Sequence, residues 1–426
     1  MLQTTAPRSQ RGSSDTDRAS LSRRYESVRS TTMALTAGLA PEDQVVQTMP
    51  DVSPTKWHLA HTTWFFETFL LQPFAPGYEV FDPSYGYLFN SYYEAVGERH
   101  PRPARGLLSR PTVAEIARYR AAVDEAMQAW LANVDEARFA EAAPILEIGL
   151  HHEQQHQELL LTDIKHVLAQ NPVMPVYRAR VEVRRQPFGL DGWWEHDGGL
   201  VEIGHAGEGF AFDNEGPRHR QYLRPFRLVR RLVSAGQYLD FIRDGGYRRP
   251  ELWLSDGWAA VKERGWTAPL YWVEKEDGNY DLLTLAGRRP LDPAEPVTHV
   301  SFYEAEAFAT WAGYRLPSEA EWEVVAADRP IHGNFLGSGH YHPTGEGGHL
   351  FGDVWVWTRS AYQPYPGYKA AEGALGEYNG KFMSGQMVLR GGSCATPDGH
   401  VRATYRNFFP PDARWQFSGI RLASDT

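Results

Sequence analysis

The chain predicts an α+β fold in two parts: a four-helix bundle over residues 16–172 and, past a linker at 173–188, an irregular α+β domain over residues 189–426. Three observations carry this reading. Apolar residues recur at helical spacing through four segments, and the pattern stops at Asn171-Pro172. From Gly189 onward Gly, Pro and Trp become frequent while helical stretches turn short and scattered. At 426 residues the chain also exceeds what one hydrophobic core ordinarily organises.

Composition narrows the function. A net charge of -10 argues against a sequence-independent nucleic-acid binder, which needs a basic face to release counterions. No run approaches the roughly 20 apolar residues that span a bilayer, and the Ser/Thr/Arg-rich start lacks the apolar core of a signal peptide. Residues 1–15 are expected to be disordered. A single cysteine, Cys394, excludes an internal disulfide framework and suits a reducing cytoplasm. Aromatic residues make up 13% of the chain, and most of the 14 Trp follow residue 180, which predicts pockets lined by large rings. Oligomeric state leaves no signal of this kind.

Taken in order, Asp15 to Leu39 reads as the first helix, through Leu21, Tyr25, Val28, Met33 and Leu35. Ser53-Pro54 predicts an N-cap and a first helical position for the second, Thr55 to Leu71, which is apolar nearly all round and therefore buried. The connection from Gln72 to Arg110 is too long for an idle turn. It carries Tyr92 and Tyr93, then arginines among prolines from Arg99 to Arg110, a stiff basic loop suited to carboxylates. Thr112 and Glu115 form a capping box for the third helix, ending near Asn133, and Asp135 to Gln170 is the fourth. In the second part, helices are predicted at Val233 to Ile242 and at Tyr303 to Ala312, the latter after a strand at Val297 to Val300. Ser318 and Glu321 cap another through Val325.

Chemistry concentrates in the fourth helix, where His152 and His156 stand one turn apart and can reach one metal ion. The second helix offers a third imidazole in Trp57-His58-Leu59-Ala60-His61, and at most one of its two histidines need be a ligand. His152-Glu153-Gln154-Gln155-His156 also matches the pattern of a zinc hydrolase with Glu153 as general base. Against it stands a three-histidine face, suited to zinc, copper or ferrous iron and open to substrate and dioxygen. A non-catalytic metal or thiol binding module is the remaining alternative.

Two sets of motifs carry a resemblance. The stretch Asp51 to Glu67 and the stretch His152 to Leu161 resemble the DinB-like four-helix bundle of the ergothioneine-biosynthesis sulfoxide synthases. Arg315-Leu316-Pro317-Ser318-Glu319-Ala320-Glu321-Trp322-Glu323, Gly352 to Trp357 and Leu389 to Ser393 resemble the domain that follows it there, of formylglycine-generating-enzyme (C-type-lectin-like) type. The resemblance implies Fe(2+), dioxygen, hercynine and a thiol donor, cysteine or γ-glutamylcysteine, as cofactor and small-molecule substrates. It implies His61, His152 and His156 as iron ligands, leaving His58 a structural role. Gln155, three residues after His152, is expected to hydrogen-bond the substrate imidazole. A tyrosine must donate the proton that steers the reaction from thiol oxygenation to coupling; Tyr93 is the first choice, then Tyr92, with Tyr378 in reserve. Asn407 is expected to bind the betaine carboxylate, Phe408 and Phe409 to belong to the aromatic wall at its trimethylammonium, and Arg102 and Arg105 to meet the thiol donor's carboxylate. The lack of an acidic residue near Phe409 favours free cysteine. Two departures stand out: Val356 replaces the usual Glu of a Trp-Glu-Trp motif, and Cys394 has no partner cysteine for formylglycine chemistry.

Overall fold

The computed structural model of the chain describes residues 17–181, 192–207, 209–370 and 374–426. The expected disorder of residues 1–15 and the linker's residues 182–188 lie outside the described residues. The four long helices are α1 (Arg18–Thr36), α2 (Thr55–Phe66), α3 (Val113–Asn133) and α4 (Glu136–Gln170). Helix α4 packs on α1 and α2, and α2 also packs on α3. Every residue of α2 is buried, as its all-round apolar pattern requires, and a π-helical turn, Glu67–Leu71, continues it. The capping box of Thr112 and Glu115 forms at the start of α3.

The start of α2 departs from expectation. Pro54 occupies the cap position and its carbonyl accepts the N–H of Trp57, while Ser53 makes no cap bond. Its hydroxyl accepts from Arg105 (3.0 Å) and its N–H donates to Asp163 (2.8 Å), so it is engaged sideways by the basic loop and α4. The connection from Gln72 to Arg110 contains helical turns at Tyr85–Phe89 and Arg102–Leu107.

Closeness of α2 and α4 depends on Gly149. A Cβ there would lie 2.7 Å from the Phe66 ring and 2.9 Å from the Phe65 ring, so only glycine lets the helices approach this far. One turn after Gly149 comes His152, opposite His61.

The remaining chain forms strands β1 (Trp193–His196), β2 (Gly199–Ile203), β3 (His219–Leu223), β4 (Phe226–Val229), β5 (Trp272–Glu274), β6 (Tyr280–Thr284), β7 (Gly287–Pro290), β8 (Trp355–Ala361), β9 (Met387–Arg390), β10 (Asn407–Phe409), β11 (Ser418–Gly419) and β12 (Ala423–Asp425). Helices α5 (Ala235–Arg243), α6 (Ser255–Arg264), α7 (Phe302–Trp311) and α8 (Glu319–Ala326) are inserted among them, α8 under the predicted Ser318 cap. The sheets are small; the one that matters for function has the order β10-β9-β8-β11, antiparallel except for β11 along β8. Val297 to Val300 is buried but forms no strand, because His299 takes a left-handed conformation (φ 63°) that breaks the extended run. Val356 is a fully buried interior position of β8, paired with Arg390 and Gly419.

The two parts join through α4. Glu158 accepts from the indole N–H of Trp355 (2.8 Å), from Thr396 (2.7 Å) and from the Ser393 hydroxyl. This binds the long helix to the Trp355 and Ser393 motifs. Cys394 is buried beside this contact, and burial pushes its thiol well up.

Candidate metal centre and substrate cleft

His61, His152 and His156 converge so that one nitrogen from each lies within 4.8 Å of the others, all three side chains being buried. His61 comes from α2, and its Nδ1–H donates to the Phe89 carbonyl at 2.6 Å, which leaves Nε2 as a lone pair 3.1 Å from His152 Nε2. Trp57 and Trp64 stack on the two sides of the His61 ring, and Phe65 packs on His152. Burial holds all three imidazoles neutral: His152 falls to about 3, and His61 and His156 lie well below the usual range. Three neutral, fixed imidazoles without a thiolate are a donor set for a divalent first-row metal.

Beside them opens a cavity of about 300 Å³, lined by the bundle on one side and the second domain on the other. His152 and His156 face it, as do Arg102, Arg105, Tyr92, Gln155, Tyr378, Asn407, Phe408 and Phe409. Of the residues expected at the site, His61 and Tyr93 do not line this cavity; His61 closes the histidine cluster from behind. A larger cavity of about 540 Å³ shares no lining residue with it.

Tyr93, the first choice of proton donor, does not line the cavity, whereas Tyr92 and Tyr378 do. Tyr93 is fully buried against Trp64 and Phe69, and among the described residues its hydroxyl reaches only that of Tyr92, at 3.5 Å. Tyr378 stands nearer the histidines: its ring is edge-on to His152 at 5.7 Å between centroids, and its hydroxyl donates to Gln155 Oε1. Burial raises both hydroxyls, so both stay protonated. At the other end of the Gln155 amide, Nε2 donates to the Tyr405 hydroxyl at 2.7 Å. Tyr405 is not among the residues expected at the site; its bond to Gln155 depends on the fold.

On the histidines' own side of the cavity, Arg105 is buried with its guanidinium 3.3 Å above the Trp57 ring, which also stacks on His61, and it donates to Ser53 and Ser91. Among the described residues no carboxylate pairs with it, and burial, with Arg102 nearby, depresses its pKa. A buried unpaired guanidinium is a receptor for an anion. Arg102 is exposed and donates to the Asp51 carbonyl at 2.6 Å. On the far wall, Asn407 accepts from the Phe408 N–H (2.9 Å), Phe408 stacks on Tyr362, and Phe409 meets Trp415 edge-on. This wall rests on a buried network: Glu319 accepts from Arg406 and Arg390, and Glu323 also accepts from Arg390.

Glu153, the general base of the hydrolase alternative, points away from the cavity. It is completely buried and accepts from Arg29 (2.9 Å), Thr32 (2.6 Å) and Arg120. Burial alone would raise its carboxyl, but the guanidiniums of Arg120 and Arg29 outweigh burial and bring it down to about 2. A carboxylate so held neither reaches a substrate nor takes up a proton near neutrality, which removes the hydrolase reading.

Residues 24–160 match the DinB superfamily, and residues 195–347 and 338–426 match the sulfatase-modifying factor enzyme 1-like domain. The hercynine oxygenase of Mycolicibacterium thermoresistibile is 32% identical over 414 residues, covering 88% of each chain. That of Mycobacterium tuberculosis is 31% identical over 405 residues, covering 88% of this chain and 92% of the other. The formylglycine-generating enzyme of Streptomyces coelicolor is 28% identical over 290 residues, covering 54% of this chain and 87% of its own.

Proposed function

The chain belongs to the hercynine oxygenase family, and from that premise we propose that it is a cytoplasmic iron(II)- and dioxygen-dependent sulfoxide synthase of ergothioneine biosynthesis. It joins the sulfur of cysteine, or of γ-glutamylcysteine, to the imidazole ring of hercynine and oxygenates that sulfur. The electrons balance with dioxygen alone. Removing the ring C–H and thiol S–H hydrogens releases two electrons, and oxygenating sulfur releases two more. One oxygen atom enters the sulfoxide and the other leaves as water.

His61, His152 and His156 would hold ferrous iron, which would supply dioxygen activation. The protein's own residues do the rest. Arg105, with Arg102 beside it, takes the carboxylate of the thiol donor. Gln155 lies next to the metal ligands and orients the hercynine ring, its amide already set by Tyr378 and Tyr405. Asn407 meets the betaine carboxylate, and the rings of Phe408 and Phe409 belong to the aromatic wall that receives the trimethylammonium. Tyr378 holds the proton that favours coupling over direct oxygenation of the thiol, with Tyr92 edge-on to it at 6.1 Å. Among the described residues no helix is long and apolar enough to cross a membrane.

The observation that carries this reading is the joint one: three neutral imidazoles meeting beside a cavity that is also lined, one tryptophan ring away, by a buried, unpaired arginine. Anaerobic loading with Fe(II), then addition of hercynine, cysteine and oxygen, should consume one O2 per sulfoxide, measured by an oxygen electrode and mass spectrometry. Oxygen uptake that yields only cysteine sulfinate, with hercynine untouched, would defeat it. Running γ-glutamylcysteine alongside decides the thiol donor.

A further inference from the structure

His58 precedes His61 by three residues on α2 and lies against His156, with the two Nδ1 atoms 2.8 Å apart. Its other nitrogen, Nε2, is 3.0 Å from Asp163 Oδ2. Asp163 stands on α4 two turns after His156 and is itself tightly held: Oδ2 accepts the Ser53 N–H at 2.8 Å, and Oδ1 accepts the indole N–H of Trp415 at 3.1 Å. Ser53, His58 and Asp163 are buried, and His156, half-buried as a whole residue, lies at the cavity.

The direction of each bond follows from what each group can do. An ionised carboxylate only accepts, so the proton between Asp163 and His58 sits on His58 Nε2. A neutral imidazole carries one N–H, which leaves His58 Nδ1 a lone pair able only to accept. His156 Nδ1 must then donate, and its Nε2 is left as a lone pair. A doubly protonated His58 would instead place a proton on His156 Nε2, the nitrogen remaining for the His61 and His152 cluster. Only the first arrangement gives three ligating lone pairs. His61 achieves the same end differently, through the Phe89 carbonyl, while His152 Nδ1 has no hydrogen-bond partner among the described residues.

We propose that Asp163 and His58 form a two-member relay that fixes the tautomer and ring orientation of His156, making His58 a positioning residue for the metal. The inference rests on reading His61, His152 and His156 as the metal site. Because Trp415 belongs to the second domain, the relay also makes that domain part of what sets the metal's ligand field: its indole anchors the carboxylate from which the bond order starts. Outer partners of ligating histidines commonly change metal affinity by about 10- to 100-fold.

Histidine-selective 15N labelling of the Zn(II)-loaded protein, with long-range proton-nitrogen correlation spectra, reads the tautomers directly. The expected pattern is a proton on His58 Nε2 and on His156 Nδ1, with His156 bound through Nε2. A proton on His58 Nδ1, or His156 bound through Nδ1, overturns the proposal. Cobalt(II) titration against a competing chelator gives the energetic arm. His58→Phe, which cannot accept a hydrogen bond, should weaken Co(II) binding by about 10- to 100-fold. His58→Gln offers an amide oxygen to His156 and an amide N–H to Asp163, and should stay within about threefold of the parent. Parent-like affinity in His58→Phe, or equal losses in both variants alongside equal falls in Tm, would reduce His58 to packing. If His58→Phe does not fold, the spectra of the parent decide alone. A parent protein that binds neither Zn(II) nor Co(II) would instead sink the metal reading itself.

Discussion

The bundle and the domain that follows it build the two sides of one cleft by opposite means. In the bundle, the ligands stand on long regular helices, and glycine lets the helices close to the distance a metal requires. In the second domain, the cleft wall is a three-residue strand, β10, and irregular loops, steadied by guanidinium-carboxylate contacts and stacked rings. Yet each side buries one carboxylate between two arginines: Glu153 between Arg29 and Arg120, Glu319 between Arg390 and Arg406. The comparison teaches a division of labour. Regular secondary structure places the atoms that must meet at a fixed distance, and irregular structure shapes the surface that chooses the substrate.

The largest break in that division comes from His61→Ala. Removing one of three ligands should lower metal affinity by on the order of a thousandfold, roughly 4 kcal/mol. Stoichiometric iron retained by this variant, measured after gel filtration, would show the third ligand to be elsewhere. Next come the paired substitutions Glu153→Gln and Glu319→Gln. Each leaves one buried guanidinium, Arg120 or Arg406, without its carboxylate, while Arg29 keeps Asp124 and Arg390 keeps Glu323, and should cost about 3 kcal/mol of stability in denaturant unfolding. Their functional effects should part: Glu153→Gln loosens the helix carrying His152 and weakens the metal, whereas Glu319→Gln leaves metal affinity alone and raises KM for hercynine. The pH dependence has a definite sign. With its carboxyl lowered from the ordinary glutamate range to about 2, Glu153 contributes stability that is present above about pH 4.5 and is lost as pH falls toward 2. Thermal melts across that window should flatten in Glu153→Gln.

The same division explains what could be read from sequence. Helical periodicity located α1 to α4, and capping boxes marked the starts of α3 and α8, because these signals are local. That His61 faces the His152 and His156 pair depends on a non-local fact, the ring-against-glycine contact at Gly149. Asp163 follows His156 by seven residues, on the same helical face, and that spacing could have marked it; its use depends on His58, which sequence assigned to structure alone. Tyr378 lies at the end of a short 3-10 turn, Ala374–Glu377, where no period orients a side chain. Nothing in the sequence separates Tyr93 from its neighbour Tyr92, and the fold turns Tyr93 inward among Trp64 and Phe69.

Tyr378→Phe sharpens the comparison from the second domain's side. It removes a hydroxyl beside the histidines without touching a ligand, so iron content should be unchanged. Loss of a positioned proton donor should shift product from sulfoxide toward cysteine sulfinate by about tenfold or more. The same substitution at Tyr93 should shift the ratio little. A ratio altered by Tyr93→Phe and untouched by Tyr378→Phe would reverse the assignment.

The smallest effect is sought at Phe409, on β10 and half-buried at the cleft. Phe409→Asp puts a carboxylate where the γ-glutamyl group of a longer thiol donor would bring its ammonium. The site is partly solvated, so the new ion pair should contribute only about 0.2–1 kcal/mol, roughly 1.4- to fivefold in the ratio of kcat/KM for γ-glutamylcysteine over cysteine. Loss of the edge-on contact with Trp415 acts on both thiols alike and cancels in that ratio. Metal affinity should move little, since Trp415, the ring Phe409 packs on, keeps its own bond to Asp163. A variant that altered metal binding but not thiol preference would erase the division between the two sides of the cleft.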